Sequence, residues 1–181
     1  MFLNPARRYR LGVLLACLWI CQPQVSLAED EGVKFDFVER EPWKEQLGNL
    51  PAYPDGSHYV AVPVQIAGSS MQMFIDEPSL TLGDEGVVRY ALLLRSPTGT
   101  ENLFYEGIRC TTQEWRSYAY GTRGGAWQSL GETPWRPIRG VGFERYREQL
   151  FRYYLCNAKV GPLQRDEMLK RMRYGVPRDA D

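Results

Sequence analysis

The sequence predicts an α+β domain, an antiparallel β-meander with a C-terminal helix packed on it and one disulfide across the two. Three observations predict it. Between His58 and Leu130, short runs of β-branched and aromatic residues alternate with clusters of Gly, Pro, Asp and Ser, the pattern of strands joined by tight turns. Between Phe143 and Tyr154, aromatic and aliphatic residues recur at helical spacing. Cys110 and Cys156 stand one in each region.

The chain of 181 residues opens with a segment that reads as an export signal. Arg7, Arg8 and Arg10 precede an apolar run from Leu11 to Cys21, Pro23 ends it, and Ser26-Leu27-Ala28 places small residues at the two positions a signal peptidase reads. That run is too short to span a bilayer, which needs about 20 apolar residues. A competing arrangement uses Leu14-Leu15-Ala16-Cys17 as a lipobox with Cys17 lipidated, but it leaves an apolar core of only Leu11 to Ala16. Cleavage after Ala28 leaves residues 29–181, a chain of 153 residues with 19 basic and 22 acidic side chains, hence a net charge of −3. That length suits one domain with a sizeable core. It also removes Cys17 and Cys21, so that Cys110 and Cys156 remain as a pair in an oxidising compartment. No Cys-x-x-Cys pair offers a redox alternative.

The elements then follow in order, with a core over 43–157 and a helical tail over 162–174. Pro42 suits the first position of a short helix, and Leu50 to Gly56 is turn-rich. His58 to Gln65 is a strand whose Pro63 places it at an edge. Met71 to Asp76 and Ser79 to Leu82 are two further strands. Val87 to Arg95 is the strongest, and Thr100 to Cys110 returns from it. Trp115 to Thr122 and Gly125 to Leu130 form a hairpin around Arg123-Gly124, with Trp127 opposite Tyr120. If Pro97 and Thr98 are the two central residues of the main turn, Arg89 faces Glu106, Tyr90 faces Tyr105 and Leu92 faces Leu103. Arg89 and Glu106 are then a structural ion pair. Phe143, Tyr146, Leu150, Phe151 and Tyr154 line one face of a helix of about four turns, with Glu148 four residues ahead of Arg152. A last helix starts at Pro162, carries its acids early and its bases late, and stops at Gly175.

Motifs for chemistry are sparse. His58 is the single histidine, and its place near a strand start after Gly56-Ser57 gives no support for a Ser-His-Asp triad. No nucleotide-binding glycine loop, nucleophile elbow or zinc motif appears, so neither a cofactor nor a metal is expected. Paired acids remain: Asp76, Asp84 and Glu106 are the carboxylates available to a hydrolase of cell-wall glycan. Charge is unevenly distributed. Glu29 to Glu106 holds 5 basic and 14 acidic residues, whereas Arg136 to Arg178 holds 11 basic and 4 acidic. Arg139, Arg145, Arg152 and Arg173 are therefore a candidate patch for an anionic envelope component or an envelope protein partner. Export argues against nucleic acid.

The landmarks also form a series: Trp43, Leu50 to Pro54, Phe74-Ile75-Asp76, Gly86-Val87-Val88-Arg89-Tyr90, Tyr105-Glu106-Gly107-Ile108-Arg109-Cys110, Tyr118-Ala119, Trp127, Trp135 and Cys156. This series resembles the CNP-like family, exported proteobacterial proteins named after a cryptic neisserial protein. The resemblance implies an exported periplasmic or cell-envelope domain and brings no catalytic residues with it. The functional expectation is a non-enzymatic binding or structural domain, with the carboxylate hydrolase as the alternative. Intact-mass analysis of the exported product is expected to give a chain starting at Glu29; a product starting at a lipidated Cys17 would overturn soluble export.

Overall fold

Val87 to Leu94 reads Val-Val-Arg-Tyr-Ala-Leu-Leu-Leu, a run apolar on both sides, and it becomes the buried centre of a seven-stranded antiparallel sheet. The computed structural model describes residues 42–65 and 69–177, all within one unit, Glu41–Asp181. The export signal, the Cys17 lipobox and the acidic stretch from Glu29 to Glu41 lie outside the described residues. The sheet runs β1 (Tyr59–Val62), β2 (Gln72–Leu82), β3 (Val87–Arg95), β4 (Glu101–Arg109), β5 (Glu114–Gly121) and β6 (Trp127–Ser129), each strand beside its sequence neighbour. A two-residue strand, β7 (Arg136–Pro137), pairs with Glu114 and Trp115 of β5, so β6 and β7 share the outer edge of that strand. This is the predicted meander.

Its turns set the registers. β3 and β4 pair with Tyr90 opposite Glu106, Arg89 opposite Gly107 and Leu92 opposite Phe104. The expected register is therefore corrected by one residue. The loop contains three residues, Pro97, Thr98 and Gly99, closed by Gly99 N–H to the Ser96 carbonyl and Ser96 N–H to the Thr100 carbonyl, both at 2.9 Å. Gly99 takes the left-handed conformation at φ +84, the position that this loop reserves for glycine. The loops 84–86 and 123–125 repeat it, with Gly86 at φ +85 and Gly125 at φ +74. Trp127 accordingly faces Gly121 rather than Tyr120, and its ring packs on Tyr53 and Tyr105. A one-residue slip also moves a side chain to the other face. Arg89 and Glu106 thus do not pair: Glu106 points to the helices and Arg89 to the opposite side.

One face of the sheet packs on helices. Gly142–Glu144 forms a 3₁₀ turn, α1 (Arg145–Gln149) follows, and Leu150–Leu155 widens to π geometry, where Cys156 N–H donates to the Phe151 carbonyl. Tyr146, Leu150, Phe151 and Tyr154 are buried as the stripe predicts, Phe143 stays exposed, and the Glu148–Arg152 pair forms at 3.0 Å. Arg147 is an addition to that face. It forks onto the fully buried Glu106, Nη2 to Oε1 at 2.6 Å and Nε to Oε2 at 3.1 Å, and lies 3.3 Å over the Trp115 ring. A buried carboxylate needs such a partner. A short ribbon, β8 (Cys156–Asn157) with β9 (Gly161–Pro162), leads to α2 (Arg165–Tyr174), which ends at Gly175 as expected but starts three residues later than expected, because Pro162 is paired with Cys156 in the ribbon. Met168, Leu169 and Met172 of α2 join the same core.

Two further expectations are corrected. Residues 42–55 form no helix; they run irregularly along the opposite sheet face, because Trp43 and Tyr53 are anchored there and Pro51 and Pro54 force their neighbours extended. Ser79 to Leu82 is not a separate strand but the end of β2, beyond a register shift between Asp76 and Thr81. Ser79 bridges that irregularity: its N–H donates to Asp76 Oδ2, its hydroxyl donates to the Asp76 carbonyl, and its oxygen accepts from Ala91 N–H. Cys110 and Cys156 form the predicted disulfide, Cα–Cα 5.7 Å, tying the end of β4 to the end of the helical segment. Replacing both cysteines by serine is expected to lower the unfolding free energy by about 2–4 kcal/mol, read from urea titrations.

Candidate functional site

The sheet face away from the helices carries a row of three residues set side by side on β3, β4 and β5: Arg89, Gly107 and Arg116. Two strand spacings put the arginine backbones roughly 10 Å apart, with a glycine between them. The gap is filled from β5 itself. Between the pairs Tyr105–Ala119 and Glu106–Ser117, Tyr118 is an extra residue, a β-bulge that turns its side chain onto this face. Its ring lies over Gly107, where a Cβ would come 2.5 Å from the Tyr118 hydroxyl. Arg89 and Arg116 flank the ring, their guanidinium carbons 5.6 and 5.1 Å from its centroid.

Residues 42–55 close this face and deliver Glu45 to the row. The Glu45 carboxylate accepts four hydrogen bonds. Arg89 Nη2 at 3.1 Å and the Tyr118 hydroxyl at 2.5 Å meet Oε1; Arg116 Nη1 at 2.6 Å and Trp135 Nε1 at 3.2 Å meet Oε2. Arg89 also binds Glu85 at 2.5 Å. On one side of Glu45, Trp43 donates to the Glu85 carbonyl and stacks on Arg109 at 3.7 Å. On the other, the Pro51 carbonyl accepts from Trp127 Nε1, and the Tyr53 hydroxyl donates to the Thr122 carbonyl.

Between these anchors, residues 46–50 are exposed and roof a groove of about 580 Å³. Its floor and walls include Ser79, Arg89, Tyr105, Arg116, Tyr118 and Glu132. That size suits a small ligand or a short peptide. Arg89 and Arg116 are each only 7 % exposed, and the Nε of each is buried with no hydrogen-bond partner among the described residues. Burial pushes the Glu45 carboxyl up, but the Tyr118 hydroxyl and the Arg116 and Arg89 guanidiniums outweigh it and hold its pKa below the ordinary 4.5. Tyr118 moves the opposite way: burial, then the bond to Glu45, raises its pKa well above 10.0, so it stays a neutral donor.

The residues singled out from sequence are dispersed. Glu106 is enclosed by Arg147 on the helix side, Asp76 is buried and held by Ser79, and Asp84 sits on an exposed turn. Burial raises the Asp76 pKa. The Ser57 hydroxyl donates to Asp55 and sits 2.7 Å from His58 Nδ1. There the serine lies between acid and imidazole, which is not the order a nucleophilic triad needs. The four patch arginines are exposed but do not share one cavity. Arg152 lines a cleft of about 890 Å³ beside Cys156, together with Lys159 and Arg171, and Arg173 pairs with Glu77 near β1. Glu45, Arg116, Tyr118 and Trp135 were not foreseen as a site. The one sequence signal for it was Gly107 inside a strand, a mark of close approach.

The family model described as the CNP1-like family matches residues 38–173, well over half of the chain. No curated protein and no solved structure matches the chain.

Replacing Glu45 by Ala is expected to cost about 3 kcal/mol of stability, because it leaves Arg116 buried without its carboxylate. The pH dependence has a definite sign. A carboxyl whose folded pKa is depressed adds stability above its unfolded pKa, near 4.5, and loses it as pH falls through the lowered folded value. Glu45→Gln is therefore expected to narrow its stability deficit relative to wild type below about pH 4 in paired denaturation series.

Proposed function

Because the chain belongs to the CNP1-like family, whose model spans every residue of the groove, we propose that it is an exported cell-envelope domain that binds an anionic envelope component in that groove and is not an enzyme. The leader motif from Arg7 to Ala28 supports export to the periplasm. The observation that carries the binding reading is the Arg89–Gly107–Arg116 row: two guanidiniums, nine-tenths buried, belong to residues that line an open groove. Taking two arginines out of water is costly, and a domain that needed only a core could fill this face with leucine at less cost.

The groove offers recognition without reaction chemistry. Hydrogen-bond donors, aromatic faces and two fixed charges are present, while the single histidine, His58, lies in a different surface hollow. A glycan hydrolase sets two carboxyl groups about 5 to 9.5 Å apart across the bond. Glu106 and Asp76 are buried and bound, Asp84 lines a different hollow, and the two carboxylates beside the groove, Glu45 and Glu85, are both tied to Arg89 rather than set across a cleft.

A photo-crosslinking residue placed at Leu47 or Asn49 on the groove roof tests the reading in intact envelopes. It is expected to give reproducible adducts that disappear with Arg116→Gln and are not seen from the exposed Val160. No adduct, or one indifferent to Arg116, would overturn groove binding.

A further inference from the structure

We propose that Glu45 is the exchangeable resident of a carboxylate receptor, and that the ligand of the groove carries a carboxylate that takes its place. This rests on the groove-binding reading and names the chemistry of its ligand. The cradle around Glu45 is built for that group. Two donors converge on each oxygen, Arg89 with Tyr118 and Arg116 with Trp135, and they come from three separate elements: β3, β5 and the loop before β7. A planar acceptor with two oxygens consumes all four. A phosphate dianion fits less well, because Glu85 stands against Arg89 and Glu132 lines the groove.

The cradle and the groove are continuous. Arg89, Arg116 and Tyr118 hold Glu45 and also line the cavity, so a carboxylate entering beneath residues 46–50 meets the same donors. Glu45 can leave without the segment undocking. Trp43 is fixed to Glu85 and Arg109 on one side, and Pro51 and Tyr53 to Trp127 and Thr122 on the other. A tethered competitor lowers apparent affinity by the fraction of molecules in which it is out of the way, so its removal is read directly as a gain in binding.

The test is calorimetry on purified wild type, Glu45→Ala and the double variant Glu45→Ala with Arg116→Gln. The probes are propionate, acetyl-Ala-Ala with a free terminal carboxylate, and the same peptide as its terminal amide. Glu45→Ala is expected to bind propionate or the free-acid peptide at least about tenfold more tightly than wild type. The amide and the double variant are expected to show no such gain. Tighter binding of the peptide than of propionate marks a carboxylate-terminated chain as the ligand; equal binding marks a small acid. A natively folded Glu45→Ala protein, judged by near-ultraviolet circular dichroism, that binds neither acid better than wild type would overturn the proposal. If that variant does not fold, wild type decides through the Trp135 indole N–H resonance. Displacement by the free acid and not by the amide supports the proposal, and an equal or absent response overturns it. Envelope adducts from Leu47 that excess propionate leaves untouched would overturn the carboxylate assignment while groove binding stands; absence of those adducts removes the reading beneath it.

Discussion

Coverage of β3 on both faces is the constraint around which the molecule is arranged. A strand whose first eight residues are all buried cannot sit in a sheet with one wet side, so each face of the meander must acquire a cover. Helical residues 142–155 and α2 supply one cover through a large apolar cluster that includes Ile75, Tyr90, Leu92 and Leu150. The irregular segment 42–55 supplies the other over a smaller cluster of Ala91, Leu93, Leu103, Tyr105, Tyr118 and Ala119. The smaller cover leaves room, and the groove occupies that room.

The two covers treat buried charge differently. On the helix side, Glu106 and Arg147 form one fork closed under Trp115, Arg147 also reaches Glu144 at 3.4 Å, and the fork fixes the helical segment against β4. On the other side, Arg89, Arg116, Glu45 and Glu85 form a network whose two arginines also line the groove. Buried charges sealed on all sides specify packing, whereas charges that also line a cavity offer a place where something else can bind. By that distinction the first cluster is structural and the second is the candidate site.

Much of the fold was legible in the sequence because it rests on local patterns. The meander, the aromatic stripe from Tyr146 to Tyr154, the stop at Gly175 and the disulfide all follow from periodicity, turn residues and cysteine count. Register was missed twice for one reason. Loops 97–99 and 123–125 each hold three residues where the sequence suggests two central ones, because the left-handed glycine that closes each loop counts as a loop residue. That single residue separates a cross-strand Arg89–Glu106 pair from two charges on opposite faces. The site was not legible at all as a pattern. Glu45 lies 44 positions from Arg89 and 71 from Arg116, and Tyr118 reaches them through a bulge that no alternation of polar and apolar residues announces.

The ends of the sheet have a consequence of their own. A bare strand edge presents a row of free amides and carbonyls to any passing chain, and long flat edges aggregate. Here one edge is β1, four residues long and followed at once by Pro63, which has no amide hydrogen to offer. The other is β5, capped along its length by two fragments too short to extend a ladder, with a bent connection between them that sends Trp135 back toward Glu45. Strand addition therefore has little purchase at either end of the sheet.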